Sequence, residues 1–357
     1  MKILNAKIVS DKEMWIKIWE KWPNREVFAH PNYLSLYLDE NIQAYCAVLE
    51  DQDKVIFYPF LLRNLQSEPY YEASMGDVYD IITAYGYGGV YMYGNGNLDS
   101  FLKQFYIEFE EWAVEKGIVS EFIRFALNLE TREAYPGIVE LNNNNVIVDL
   151  TIDKDEMWHN FKHKVRKNVH KAEKEGLTVL CDKCGNDLEA FLGIYYGTME
   201  RREADKGYYF PQEYFEMINS QLGGQFVYFH VMFQEKVIST ELVLVSEYNI
   251  YSFLGGTKEA YFDLRPNDFL KYAIINWGKE NGKKRFVLGG GHIPFDGIYN
   301  YKLGFAPNGE CPFYVGKRVL NQKIYDILVQ NKMNLCIREG NVWNTDTTFF
   351  PLYRVKV

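Results

Sequence analysis

No stretch of this chain approaches the ~18 continuous apolar residues of a membrane-spanning helix, and its first residues, MKILNAKIVSDKEMW, lack the apolar core of a signal peptide. A cytoplasmic location is expected, with any membrane contact peripheral. Cysteine is scarce and odd in number (Cys46, Cys181, Cys184, Cys311 and Cys336), which excludes a fully paired disulfide scaffold and suits a reducing compartment. Cys181 and Cys184 have the spacing of half a zinc ribbon, but no second CxxC or histidine pair completes four ligands, so no metal is expected. The histidines (His30, His159, His163, His170, His230 and His292) show no HExxH spacing, and there is no Gly-x-Ser-x-Gly elbow or P-loop. Zincin, serine hydrolase and NTPase chemistries are thereby set aside. Positive charge is also in deficit: 39 Lys and Arg against 48 Asp and Glu give a net charge of -9. The surface as a whole does not suit nucleic acid, and any such binding needs a local patch.

What the chain has in quantity is apolar and aromatic surface, 47% and 17% of its 357 residues, enough to fill two cores. Helical and period-two patterns follow one order and then repeat it. The first half reads as a strand (2–9), two helices (11–22, 30–40), two strands (42–50, 54–62), a tyrosine-rich loop, a helix (98–117) and a strand (121–127). After a strand at 146–151 and a basic helix, the second half reads as a strand (177–181), two helices (187–202, 211–222), three strands (225–233, 237–245, 250–256), a helix (267–282) and a strand (285–290). The expectation is an α+β protein of two tandem units, 1–147 and 148–318, each a mixed sheet flanked by helices in the order of the GNAT acyltransferase fold. The asparagine run at 142–145 is expected to form the junction turn, and the aromatic tail, 319–357, to return and pack on the first unit.

Chemistry concentrates in a few places. The run FVLGGGHIPFDGIYNYKLGF (286–305) empties a buried strand into three glycines, an acidic turn at Asp296 and the pair Tyr301 and Lys302. Glycines let backbone approach a ligand, and a lone cation at such a strand end suits a developing oxyanion; a glycine bulge with a lysine snorkelling over an aromatic would read the same way. Lys302 is the first catalytic candidate, with Asp296 and Tyr301 as binding residues. Glu241 stands mid-strand among apolar neighbours, where an unpaired carboxylate is costly, and is the first candidate for general base; Asp80 is the second. Tyr85, Tyr87 and Gly88, in a loop that interleaves tyrosine with glycine, offer flat faces and hydroxyls to a sugar or peptide. Arg201, Arg202 and Lys206 follow a helix and suit a diphosphate or carboxylate, or else a dipole-favoured helix end.

Residues 158–174 carry an apolar stripe (Trp158, Phe161, Val165, Val169, Ala172) and are otherwise basic. Lys162, Lys164, Arg166, Lys167 and Lys171 are candidate RNA contacts, with a solvated helix face as the alternative. The segment GGTKEAYFDLRPN (255–267) puts bulky residues before Asn267, the expected cap of the next helix, and so suits a coenzyme A pyrophosphate poorly.

With these motifs in place, the chain resembles the Fem family, tandem-GNAT transferases that attach amino acids from aminoacyl-tRNA to the stem peptides of peptidoglycan precursors. The resemblance extends over most of the chain and rests on DIITAYGYGGV (80–90), WHNFKHKVRKNVHKAEKEGLTV (158–179), YYGTMERREADKGYYFPQEYF (195–215) and GGGHIPFDGIYNYKLGF (289–305). It implies direct attack of an acceptor amine on an activated acyl group, with Lys302 stabilising the oxyanion. It also implies a phosphate-binding arginine near Arg201, no bound cofactor, and two partners: aminoacyl-tRNA and a UDP-linked or lipid-linked muropeptide. Two features depart from the family: the second unit has no heptad-patterned helical arm, and the first-unit loop ends Gly-Gly-Val where a proline more often follows the glycines. Related tandem-GNAT proteins use acyl-CoA, so an acyl-CoA-dependent N-acyltransferase acting on an envelope sugar stays open, as does an inactive module that binds a sugar nucleotide or RNA.

Overall fold

The computed structural model describes every residue except Asn128, His292, Pro294, Thr345, Asp346, Lys356 and Val357; His292 and Pro294 of the strand-end run, and part of the tail, thus lie outside the described residues. Two compact units divide the chain. Met1–Pro23, Phe28–Asn142 and Phe313–Val357 form the first, and Asn24–Val27 with Asn143–Pro312 form the second. The short segment Asn24–Val27 therefore belongs to the second unit although it lies within the first by sequence: Glu26 accepts hydrogen bonds from Asn249 Nδ2 and from Tyr251 Oη at 2.8 Å.

In the first unit the elements are β1 (Lys2–Asn5), α1 (Val9–Lys21), α2 (Pro31–Ser35), β2 (Ile42–Asp51), β3 (Lys54–Asn64), β4 (Tyr79–Ile82), β5 (Tyr91–Tyr93), α3 (Asp99–Glu115), β6 (Ile118–Arg124) and the start of β7 (Ile138–Asp149). The second unit continues with α4 (Lys154–Asn160), α5 (His163–Lys174), β8 (Thr178–Asp182), α6 (Leu188–Arg201), α7 (Gln212–Gln221), β9 (Phe226–Phe233), β10 (Lys236–Val245), β11 (Asn249–Thr257), α8 (Pro266–Glu280), β12 (Arg285–Gly289) and α9 (Gly297–Lys302). The chain then re-enters the first unit through β13 (Glu310–Val319) and ends on α10 (Gln322–Arg338).

The repetition seen in the sequence has a counterpart in strand pairing. Along β1-β2-β3-β4-β6-β13 the neighbours are antiparallel three times, then parallel, then antiparallel. The order β8-β9-β10-β11-β12-β7 has the same succession. The parallel pair in each of these strand orders needs a crossover, and α3 and α8 supply it. Each buries a stripe at helical spacing: Phe101, Phe105 and Phe109 on α3, and Leu270, Ile274 and Gly278 on α8.

Three sequence expectations are corrected. Residues 142–145 are not a turn but part of the long strand β7, whose next residues pair with β12, Val146 with Gly289 and Val148 with Phe286; strand context overrides the poor strand propensity of asparagine. Residues 158–174 are not one helix. Phe161 turns into the core in an extended conformation, and Lys162 N donates to Gly304 O at 2.8 Å, which ends α4 and restarts the helix as α5. The helix expected over 30–40 stops at Ser35.

Residues from Phe313 onward belong to the first unit. Tyr325, Leu328 and Tyr353 form a buried cluster with Leu65, Tyr70 and Val119. Asp80 ties the tail down: its carboxylate accepts from Arg63 Nε at 2.7 Å and Nη2 at 3.0 Å, from Arg354 Nε at 2.9 Å, and from Tyr353 Oη at 3.2 Å. Burial pushes its pKa up, but the two guanidinium groups outweigh burial and hold it below the ordinary carboxylate value. A carboxylate so placed is an anchor, which corrects its candidacy as general base. Its contribution to stability is full above the unfolded carboxyl pKa and is lost as pH falls through the depressed folded value. Asp80→Asn should cost about 3 to 5 kcal/mol in urea unfolding, because two cations lose their buried partner; a change under about 1 kcal/mol would contradict the role.

Candidate active site

Within the second unit a cleft of about 730 Å³ is bounded by the C-terminal end of α6, the strands β10 and β11, the first turns of α8, and α9. Lys302 lies at its wall. The strand β12 delivers the chain to Gly289, whose φ of 77° suits glycine, and a Cβ there would sit 3.5 Å from Lys302 Nζ. Asp296 then caps α9, accepting from Tyr299 N at 2.7 Å and Ile293 N at 3.2 Å, so its carboxylate aims the helix that carries Tyr301 and Lys302. Lys302 Nζ donates to Gly290 O at 2.6 Å. Burial brings its pKa down to about 8, and the nearby Lys271 ammonium adds to the fall, while Glu241 and Asp296 oppose it. This lysine can therefore give up and regain a proton near neutral pH.

Glu241 faces the same cleft but is already engaged. Lys271 Nζ donates to both of its carboxylate oxygens, at 2.5 and 2.6 Å, and to Ser252 Oγ at 2.7 Å. Glu241 is 5% exposed and Lys271 6%, so the pair is almost dry. With both carboxylate oxygens engaged by Lys271, Glu241 acts first as the counter-charge that lets two lysines share one cleft. Tyr301 has a buried hydroxyl without a hydrogen-bond partner. Burial raises its pKa well above the ordinary phenol value, as do the carboxylates of Asp268 and Glu241. It remains a neutral donor for a substrate oxygen.

Arg201, Arg202 and Arg265 line the cleft, and the Arg201 guanidinium lies over the Phe262 ring at 5.1 Å. Lys206 sits in an exposed turn, Lys206–Tyr208, and is not among the lining residues. The segment after β11 is a 3-10 helix, Glu259–Leu264, and the residue preceding α8 is Arg265 in left-handed conformation (φ 61°, ψ 38°) rather than Asn267, which lies inside the first turn. Such a conformation is uncommon for a residue other than glycine. The glycines at the end of β11 serve packing: a Cβ on Gly256 would meet Thr198 Oγ1 of α6 at 2.2 Å.

The basic segment divides between α4 and α5. Val165, Val169 and Ala172 are buried, whereas Lys162, Lys164, Lys167 and Lys171 are exposed and Arg166 is half-buried. Arg166 Nη1 donates to His159 O at 3.1 Å. Lys164 is electrostatically close to Asp268 in the first turn of α8, which puts the start of the basic helix beside the cleft. Tyr85, Tyr87 and Gly88 lie in the first unit: Tyr87 packs edge-on against Phe28 and Phe313, Gly88 pairs with the backbone at 124–126, and Tyr85 is 38% exposed.

Sequence reasoning missed Lys271, Arg265 and Asp268. Lys271 was findable, since it interrupts the apolar stripe of α8 between Leu270 and Ile274. Asp268 and Arg265 gave no such signal.

Among the described residues, no helix is long and apolar enough to cross a membrane. A family model described as an acetyltransferase (GNAT) domain matches residues 159–303, which contain the whole cleft. The structure of FemX superposes with a TM-score of 0.68 at 14% identity, covering 92% of this chain and 99% of that one. The C-terminal domain of a putative lysylphosphatidylglycerol synthetase from Agrobacterium fabrum gives 0.56 at 16% identity, with 91% and 96% covered. L-PGS from Bacillus licheniformis gives 0.54 at 14%, with 93% and 98% covered. No curated protein matches the sequence significantly. Identities this low speak to fold, and the Fem-like resemblance of the sequence holds at that level. Residues 159–303, which enclose the lysine-bearing cleft, thus match a GNAT acetyltransferase domain, and the chain as a whole shares the fold of FemX.

Proposed function

We propose that the protein transfers an aminoacyl group from aminoacyl-tRNA to an amine of a peptidoglycan-precursor stem peptide, in the cytoplasm. The observation that carries this reading is Lys302, an amine with a pKa near 8 at the wall of a cleft lined by three arginines. In the reaction the acceptor amine attacks the ester carbonyl, the C–N bond forms, the C–O bond to the ribose breaks, and the amine proton passes in net to the departing ribose oxygen. Lys302 in its charged form stabilises the oxyanion and supplies the leaving-group proton. It is regenerated by the proton the amine releases. The acyl group arrives already activated, so the reading needs no bound cofactor.

The donor assignment draws support from the first turn of α8. A coenzyme A pyrophosphate bound at that helix start would meet the buried carboxylate of Asp268, and Pro266 removes one of the amides that would hold it. The basic face of α5 begins next to the same turn. The arginines of the cleft and the description of the matching family model favour a second reading, an acyl-CoA-dependent N-acyltransferase.

The deciding experiment is a transfer assay with tRNA charged with labelled amino acids, acetyl-CoA and UDP-linked muropeptide. Label passing from tRNA to the muropeptide is the expected result. Transfer from acetyl-CoA alone would move the assignment to the second reading, and no transfer from either donor would remove both.

A further inference from the structure

One buried polar atom of the second unit takes no part in the chemistry above. His230 on β9 is fully buried, and its Nδ1 lies 2.9 Å from Thr240 Oγ1 on β10. Its Nε2 is also buried and has no hydrogen-bond partner. Either tautomer leaves that nitrogen unpartnered, as an orphaned donor or an unused lone pair, on a ring that lies close to two carboxylates. Those carboxylates belong to Asp182, buried at the end of β8, and to the solvent-accessible Asp187 that precedes α6. One ligand atom from each of the three residues lies within 4.8 Å of the other two.

The cluster is held in place by the fold. On the β8–β9 ladder Leu180 stands opposite His230 and Asp182 opposite Tyr228. The Asp182 carboxylate accepts from the backbone N–H groups of Cys184 and Gly185 at 2.9 Å each and of Asp187 at 3.1 Å. Those bonds close the turn that brings Asp187 back toward the imidazole. Thr240 fixes the ring through the opposite nitrogen, the arrangement that orients a histidine ligand.

We propose that Asp182, Asp187 and His230 bind a divalent first-row transition metal, of which zinc is the type, with solvent completing the coordination. One imidazole nitrogen with two carboxylates is a borderline donor set; magnesium and calcium favour oxygen alone. The metal would join β8, β9 and the start of α6, whose far end carries Arg201 in the cleft. The exposed thiols of Cys181 and Cys184, which suggested and then failed to complete a zinc ribbon, are not members of the cluster.

The test is zinc chloride titration of the full chain after chelator treatment, followed by calorimetry and by thermal unfolding. One equivalent should bind and raise the unfolding midpoint, with magnesium and calcium chlorides at least about tenfold weaker. Asp187→Asn, at a solvent-accessible position that should not disturb the core, should weaken zinc binding by at least about tenfold. Cys181→Ser with Cys184→Ser should leave it unchanged. His230→Gln should also lose the site, and if that chain fails to fold, the Asp187→Asn result decides alone. No saturable zinc binding by the wild type, equal binding by Asp187→Asn, or binding lost only with the cysteines would each overturn the proposal.

Discussion

Lys302→Ala should lower turnover by about tenfold to a thousandfold, the range for loss of one electrostatic stabiliser, while leaving fold and acceptor affinity nearly intact. The size follows from its setting: the ammonium is largely buried, and the charge it meets in the transition state is desolvated with it. The pH dependence separates this role from mere positioning. If the charged form stabilises the oxyanion, kcat/KM should fall as pH rises through about 8, where Lys302 loses its proton. Lys302→Arg, which stays charged, should carry that limb to higher pH. Stability should change in the opposite sense. The folded pKa lies below the ordinary lysine value of 10.5, so the unfavourable charging is fully present below about 8 and is relieved as pH climbs toward 10.5, a range in which the unfolded chain binds more protons. Lys302→Met should therefore unfold at higher temperature than wild type at pH 7 while turning over more slowly. Wild-type turnover in Lys302→Ala, or an unmoved alkaline limb in Lys302→Arg, would remove Lys302 from the chemical step.

The parts of this architecture that could be read from sequence are those written as periodicity. Stripes such as Phe101, Phe105 and Phe109, and the hairpin-like apolar runs of β9 and β10, announce their partners locally, so the doubled order emerged and the strand pairing repeats it. What escaped depends on distant contacts. Asp80 reads as a polar residue in a tyrosine-rich loop until Arg354, far along the chain, closes on it. The asparagines at 142–145 read as a turn because their intrinsic preferences point that way, yet they lie within the strand β7. In the cleft, Lys302 stood out through the glycines before it, whereas its electrostatic setting is made by Lys271 and Glu241, which only the α8 crossover brings together. A lone carboxylate on a strand invites the role of base; seen with its lysine, it becomes a counter-charge.

Reversing Lys164, Arg166 and Lys167 to Glu should abolish RNA affinity while the muropeptide acceptor still binds. These side chains project from the first turns of α5, whose buried contacts are made by Val165, Val169 and Ala172, so the substitutions leave the apolar stripe in place. Acidic residues near a helix N-terminus are also favoured by its dipole, and α5 should survive the change, as circular dichroism would verify. Against a net charge of -9, attraction to a phosphate backbone has to come from such a patch, and binding through it releases counterions. Wild-type affinity for tRNA should therefore fall steeply as salt rises. The Lys164 position carries a second consequence, because its charge also reaches Asp268 at the cleft: Lys164→Glu alone should impair aminoacyl transfer more than Lys167→Glu alone. Unchanged RNA affinity in the triple variant would take the donor off α5, and saturable coenzyme A binding without measurable RNA binding would transfer the cleft's arginines to the acyl-CoA reading.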